Sequence, residues 1–267
     1  MAAPSAKRAH VAAGADRIRP RPVASPLADE YTEAPCPSAH VRGLKQRVRD
    51  SQAAAAAVPG LLYVDGFLTE QEEQEVLAAI DAAPWLDDLR RRVQHYGWRY
   101  DYKKRAVSTG DYLGPLPDWI QPLVRRLKHC HVVSASAKLD QAIVNEYLPG
   151  QGIAPHVDHP TMFDDEVVTI SMAAPTTMSF SCRSSKATHD CRLERRSATR
   201  ITGDARFKWT HGIAARRSDP AAAPHSAAKR IPRQRRVSLT LRSVRQSVAA
   251  AAGGRGGSGS ATRESAP

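Results

Sequence analysis

The sequence predicts a mainly β domain with flanking helices (α+β), of the sandwich or jelly-roll kind. Two segments with helical periodicity come first. A succession of short β-branched or aromatic runs follows, separated by turn residues, and biased segments lie at both ends. In "FLTEQEEQEVLAAIDAAPW" (67–85), Thr69 is a good N-cap, and Glu72 three residues on completes a capping box. Val76, Leu77 and Ile80 then form one apolar face, and Pro84 marks the end. In "PDWIQPLVRRLKHC" (117–130), Asp118 is the expected cap. Ile120, Leu123, Val124 and Leu127 are expected to face inward, with Arg125, Arg126 and Lys128 in solvent. The strand-like runs are 141–148, 167–173, 178–183, 198–204, 207–214 and 236–244.

Composition divides the chain into three. Residues 1–57 are basic and rich in Ala, Pro and Arg, and residues 247–267 are a Gly/Ser-rich tail. Both bury too little apolar surface to offset ordering entropy, so disorder is expected there and a folded domain over 58–246. The net charge of +12 favours an anionic partner, nucleic acid first, although a generally arginine-rich proteome would give the same excess. The four cysteines are irregularly spaced and include no CxxC pair, which points to a reducing, intracellular compartment, cytoplasm or nucleus. Cys182, His189 and Cys191 fit no common zinc spacing. No apolar run approaches the roughly 20 residues of a membrane span, so no membrane partner is expected. The arginines and scarce acids of the first thirty residues leave mitochondrial or plastid targeting open. A monomer is expected.

The chemistry-bearing stretch is "GIAPHVDHP" (152–160). In extended chain, residues two apart project to the same side, so His156 and Asp158 would converge while His159 points away. His211, in "FKWTHGI", is the candidate third ligand. Two histidines and one carboxylate, with adjacent positions left open, form the facial triad of non-haem Fe(II) oxygenases. An HxD alone is equally an ordinary polar loop. Downstream, "RQRRVSLTLR" places Arg236, Ser238, Thr240 and Arg242 at a period of two. On a strand they share one face, which needs either anionic partners, gripped as a guanidinium grips a carboxylate, or solvent along a basic edge strand. Asn145 and Tyr147, again two apart, are placed to hydrogen-bond the same bound acid.

Taken in order, "HYGWRYDY", "LPDWI", "VNEYLPGQGIAPHVD", "TGDARFKWTHGI" and "RVSLTLR" resemble the AlkB-like family of Fe(II)- and 2-oxoglutarate-dependent dioxygenases, over about residues 58–244. The resemblance implies a double-stranded β-helix, with His156, Asp158 and His211 holding iron. It implies that Asn145 and Tyr147 contact 2-oxoglutarate, that Arg236 pairs with its distal carboxylate, and that Arg242 lies near substrate and metal. Ser238 stands where many members carry Asn, and its hydroxyl is a shorter donor and acceptor that reaches less far toward the co-substrate. The implied reaction consumes O₂, converts 2-oxoglutarate to succinate and hydroxylates a carbon. On an N-methyl group the product would lose formaldehyde and leave a repaired base. Pro160 stands where DNA-demethylating members can carry a carboxylate, and "FDDEVVTISMA" (163–173) is nearer the branch that oxidises modified wobble uridines in tRNA. That branch often bears RNA-binding and methyltransferase domains, for which 267 residues leave no room.

Between Arg90 and Arg105, "RRRVQHYGWRYDYKKR" interleaves cations with Tyr96, Trp98, Tyr100 and Tyr102. Cations can follow phosphates while rings stack on an extruded base. Tyr96 and Trp98 are the candidate substrate contacts, at most one of them at the entrance, and at least two of the four rings are expected in the core. The function expected is demethylation or hydroxylation of modified bases in DNA or RNA. The alternatives are the same chemistry on a protein side chain, or a non-catalytic nucleic-acid-binding module of this fold.

Overall fold

The structure, a computed structural model, describes residues 39–54, 57–87, 89–220 and 230–245. Two antiparallel sheets face one another as a jelly roll. The larger uses β1 (Leu61–Val64), β2 (Val93–Tyr96), β3 (Gln141–Tyr147), β5 (Phe163–Met172), β8 (Ser197–Ile201) and β12 (Arg236–Val244), in the order β1-β8-β5-β12-β3-β2. The smaller uses β4 (Ile153–His156), β6 (Thr176–Cys182), β7 (Thr188–Leu193) and β9 (Trp209–Ile213), in the order β4-β9-β6-β7. β10 (Ser218–Pro220) and β11 (Arg230–Pro232) form a separate pair.

Three helices cover the outer face of the larger sheet: α1 (Ala39–Ala54), α2 (Glu70–Asp81) and α3 (Gln121–His129). A short helix, α4 (Gly203–Phe207), precedes β9. Val41, Leu44 and Val48 of α1, Val76 and Ile80 of α2, and Leu123 and Leu127 of α3 meet Val144, Ile170, Val237, Leu239 and Leu241 of the sheet in one core. Each such aliphatic side chain is worth about 1.5–3 kcal/mol when fully buried. The period of two in β12 therefore sorts its residues. Val237, Leu239 and Leu241 face the helices, while Arg236, Ser238, Thr240 and Arg242 face the space between the sheets. β12 lies between β3 and β5, so the alternative of a solvated edge strand is overturned.

The capping box of α2 forms: Thr69 Oγ1 accepts from Glu72 N (3.2 Å) and Glu72 Oε2 from Thr69 N (2.8 Å). Three expectations are corrected. Residues 39–54, within the segment expected to lack structure, form α1; Val41, Leu44 and Val48 recur at helical spacing and pack beside β1. Of the rest of the expected disordered ends, residues 1–38, 55–56 and 247–267 lie outside the described residues. Asp118 does not cap α3, whose N-cap is Ile120, with no side-chain cap bond. Arg126 is fully buried rather than solvated, because Leu123, Arg126, Leu127 and Cys130 form one helical stripe. Its guanidinium is satisfied there by Glu72 Oε2 (2.8 Å) and the Phe67 carbonyl (3.1 Å). Among the described residues no helix is long and apolar enough to cross a membrane.

Candidate active site

A cavity of about 660 Å³ opens between the two sheets, lined by residues of β3, β4, β5, β8, β9 and β12. At its smaller-sheet wall, β4 and β9 pair so that His156 and His211 lie opposite one another. Gly212 makes this approach possible, since a Cβ there would sit 2.8 Å from Pro155 N. The two imidazole rings are 4.5 Å apart, centroid to centroid. β4 ends at His156, so Asp158 sits just past the strand rather than on it, yet the three residues' ligand atoms all lie within 4.8 Å of one another. Among the described residues this is the one group of three or more His, Cys, Asp or Glu that could hold a metal; Cys182, His189 and Cys191 do not form one.

The protonation states suit a cation. His156 Nδ1 lies 2.9 Å from the Ala154 carbonyl; donating there leaves the Nε2 lone pair for a metal. Burial pushes His211 down to about 4, against the opposing pull of Asp158, so it is neutral near pH 7, as a ligand must be. Burial alone would raise Asp158, but Arg242, His211, His156 and Arg206 outweigh it and hold the carboxyl well below the usual range. Arg242 Nη1 donates to Asp158 Oδ1 (2.7 Å) and its Nε to Gln141 Oε1 (2.8 Å), while the guanidinium lies 4.1 Å from the Phe163 ring centroid. His211 Nε2 stands 3.5 Å from the other carboxylate oxygen.

Arg236 lines the same cavity but has a different environment. It is 3% exposed, one Nη donates to Ser171 Oγ (2.8 Å), and its buried Nε has no partner. Among the described residues no carboxylate pairs with it. Asn145, Tyr147 and Ser238 line the cavity beside it; strand register sets Tyr147 opposite Arg236 and Asn145 opposite Ser238.

The 2OG-Fe(II) oxygenase superfamily model matches residues 60–242. The chain belongs to that superfamily. It is 38% identical over 214 residues to "Alkylated DNA repair protein ALKBH8 homolog" of Arabidopsis thaliana, covering 70% of this chain and 59% of the relative. It is 32% identical over 214 residues to "tRNA (carboxymethyluridine(34)-5-O)-methyltransferase ALKBH8" of Macaca fascicularis, covering 72% of this chain but 31% of the relative. The "Uncharacterized protein L905" of Acanthamoeba polyphaga mimivirus is 30% identical over 188 residues and 85% covered. The chain thus lies near the ALKBH8 branch of the AlkB-like oxygenases, and spans less than two thirds of the length of each of these two relatives.

A 2OG-Fe(II) oxygenase takes Fe(II), 2-oxoglutarate and O₂. The residues present fit the first two. The donor set of two imidazoles and one carboxylate suits ferrous iron. A buried guanidinium whose Nε has no partner and beside which no acid stands among the described residues suits a dicarboxylate.

Three features of this oxygenase site depart from the sequence expectations. Arg206, which sequence reasoning passed over, is fully buried; its Nη1 donates to the Asp158 carbonyl (2.7 Å) and its Nη2 to the His159 carbonyl (3.0 Å). It fixes the turn that carries Asp158, and nothing in "GDARFKW" (203–209), where Asp204 and Lys208 flank it, marks it out in the sequence. Arg242, expected near substrate and metal, pairs directly with a metal-ligand candidate, donating to Asp158 itself. Tyr96 and Trp98 do not line the cavity. Tyr96 packs edge-on against Trp119 (5.7 Å) in the helix-side core, and Trp98 packs against Tyr112 (4.9 Å). Of the four rings in this run, Tyr100 and Tyr102 line the cavity. The physical cause is Gly97, whose positive φ of 72° ends the strand alternation and lets the Asp140 carbonyl come where a Cβ would be.

Proposed function

We propose that this protein is an oxygenase that hydroxylates or oxidatively demethylates a modified base of nucleic acid, with tRNA the first substrate to test. His156, Asp158 and His211 would hold Fe(II), and Arg236, with Asn145, Tyr147 and Ser238, would hold 2-oxoglutarate. Bound iron would supply the means to couple decarboxylation of 2-oxoglutarate to oxidation of the substrate by O₂. The protein's own residues bind and orient. Arg242 and Arg206 hold Asp158 ionised and in place. Arg236 waits for the distal carboxylate, whose two oxygens a guanidinium grips bidentately.

One observation carries the reading: a buried guanidinium without an acid partner among the described residues shares one 660 Å³ cavity with a His-Asp-His cluster. The nucleic-acid part rests on the cavity mouth, where Lys104 and Arg105 stand with the rings of Tyr100 and Tyr102. Cations there suit phosphates and rings suit an extruded base. The names of the two ALKBH8 relatives, which speak of alkylated DNA and of tRNA, support this.

The test is succinate release from total tRNA and from methylated DNA and RNA oligonucleotides, dependent on Fe(II) and 2-oxoglutarate. Mass spectrometry of the nucleosides identifies the base that changes. Turnover on at least one nucleic acid, lost in His211→Ala, is expected. No turnover on the whole panel, or full turnover by His211→Ala, overturns the proposal.

A further inference from the structure

Arg91 precedes β2 and was not singled out by the sequence, yet it lines the cavity at the co-substrate end. Its Nε donates to Asn145 Oδ1 at 2.8 Å, and its guanidinium lies 5.8 Å from the Tyr147 ring centroid. The contact is set by strand pairing: Val93 of β2 stands opposite Asn145 of β3, and Arg91 is two residues earlier on the same side.

A carboxamide has an accepting end and a donating end of almost equal size, and its terminal torsion has a broad two-fold preference. Nothing in the shape of Asn145 decides which end faces a ligand. A guanidinium has donors only, so whichever end of the amide meets Arg91 must be the oxygen. The NH₂ end is then left on the far side, as a donor. For an anionic ligand that choice matters, because a carbonyl oxygen presented to a carboxylate repels it. We propose that Arg91 is a positioning residue: it locks the Asn145 amide so that Nδ2 is offered to the co-substrate. The proposal rests on the reading that this cavity takes 2-oxoglutarate. Arg91 need not touch the co-substrate; it acts through Asn145.

The same arrangement recurs four residues away on β3, where Arg242 Nε donates to Gln141 Oε1 at 2.8 Å. There the amide is not part of the cavity lining, so the orientation serves the guanidinium rather than a ligand.

The experiment is a double-variant cycle on the full chain, loaded with Mn(II) in place of Fe(II), with calorimetric titration of 2-oxoglutarate. Arg91→Ala and Asn145→Ala are each expected to weaken binding about threefold to tenfold, the worth of one net hydrogen bond. The double variant is expected to be no weaker than Asn145→Ala alone, since Arg91 has nothing left to orient. Arg91→Lys, which keeps one donor within reach, should recover part of the loss. In turnover the effect should fall on the 2-oxoglutarate KM with kcat held. Full additivity of the two losses, or an Arg91→Ala protein that binds like wild type while Asn145→Ala does not, overturns the role of Arg91 and leaves the cavity assignment standing. Wild-type protein that binds no 2-oxoglutarate, or that binds it no better than Arg236→Ala, overturns the assignment itself and this proposal with it.

Discussion

Arg236 and Arg242 sit on one strand, on one face, six residues apart, and both are more than nine-tenths buried. Their surroundings differ in one respect. Arg242 is answered by the Asp158 carboxylate and the Gln141 amide. Arg236 is answered by a serine hydroxyl and the Tyr147 ring, 5.3 Å away, and among the described residues its Nε has no hydrogen-bond partner. A buried cation is tolerated when it is paired, and one left without an anion is a standing electrostatic debt that a ligand can settle. One end of the cavity is thus closed by internal pairing and holds a metal-ligand candidate in place. The other end is open to an acid from outside.

The comparison breaks first on a pair of substitutions. Arg242→Met leaves Asp158 buried without its strongest cation, and breaking such a pair costs about 3–5 kcal/mol. Thermal unfolding should move down sharply, and metal affinity should fall with it. Arg236→Met removes a charge that has no anion among the described residues, so stability without 2-oxoglutarate should hold or rise, while 2-oxoglutarate binding weakens about 10- to 150-fold, as for a lost charged hydrogen bond worth about 1.5–3 kcal/mol. Unfolding temperatures that fall equally in both variants would erase the distinction.

A smaller effect is expected behind the closed end. Arg206 grips two backbone carbonyls with two nitrogens, a fork that lysine cannot reproduce. Arg206→Lys keeps the charge and should lower metal affinity about 10- to 100-fold, the range for partners that orient ligands. Titration of Mn(II) into the full chain reads this without turnover. Unchanged affinity would show that Asp158 is held by Arg242 alone.

Arg126 supplies the same comparison away from the cavity. Its partner Glu72 would be raised by burial, but hydrogen bonding and charge from Arg126 win and its pKa is lowered. A depressed folded-state pKa contributes stability that is present above the unfolded value, about 4.3, and lost as pH falls through the folded one. Glu72→Gln should therefore flatten the acid limb of the stability profile below about pH 4.3. A wild-type slope in that variant would place the acid sensitivity elsewhere.

The legible parts of this molecule were those written in one period. β12 was readable to the residue, because alternation over nine positions sorts a core face from a polar face whatever surrounds it. The His156, Asp158 and His211 cluster was readable because the motif and its order carry it, although Asp158 lies beyond the strand that was expected to align it. β1, β2 and β4 are four residues long, too short for two periods to show. Arg126 and Arg206 were misjudged or missed for a common reason. A cation's burial depends on an acceptor that the fold delivers from elsewhere: Glu72 lies 54 positions away, and the Asp158 carbonyl 48.

The smallest expected effect concerns the aromatic run. Alternation through Gly97 would have put Tyr96 and Trp98 on one face with Tyr100 and Tyr102. The glycine turns the chain instead, and the first two rings go to packed interiors while the last two reach the cavity. Tyr96 shows this most directly: burial pushes its hydroxyl up to about 12, and that hydroxyl donates to Gln94 Oε1 at 2.9 Å. Gln94 in turn donates to the carbonyls of Ile80 and Ala83 at the end of α2. Tyr96→Phe should then lower stability by about 1 kcal/mol, one hydrogen bond's worth, and leave substrate KM and kcat where they are. Tyr102→Ala should do the reverse in emphasis, raising the KM for nucleic acid about 5- to 150-fold if the ring stacks a base, which is worth about 1–3 kcal/mol. A substrate KM that responds to Tyr96→Phe but not to Tyr102→Ala would return the substrate to the helix-side rings and overturn the part assigned to Gly97.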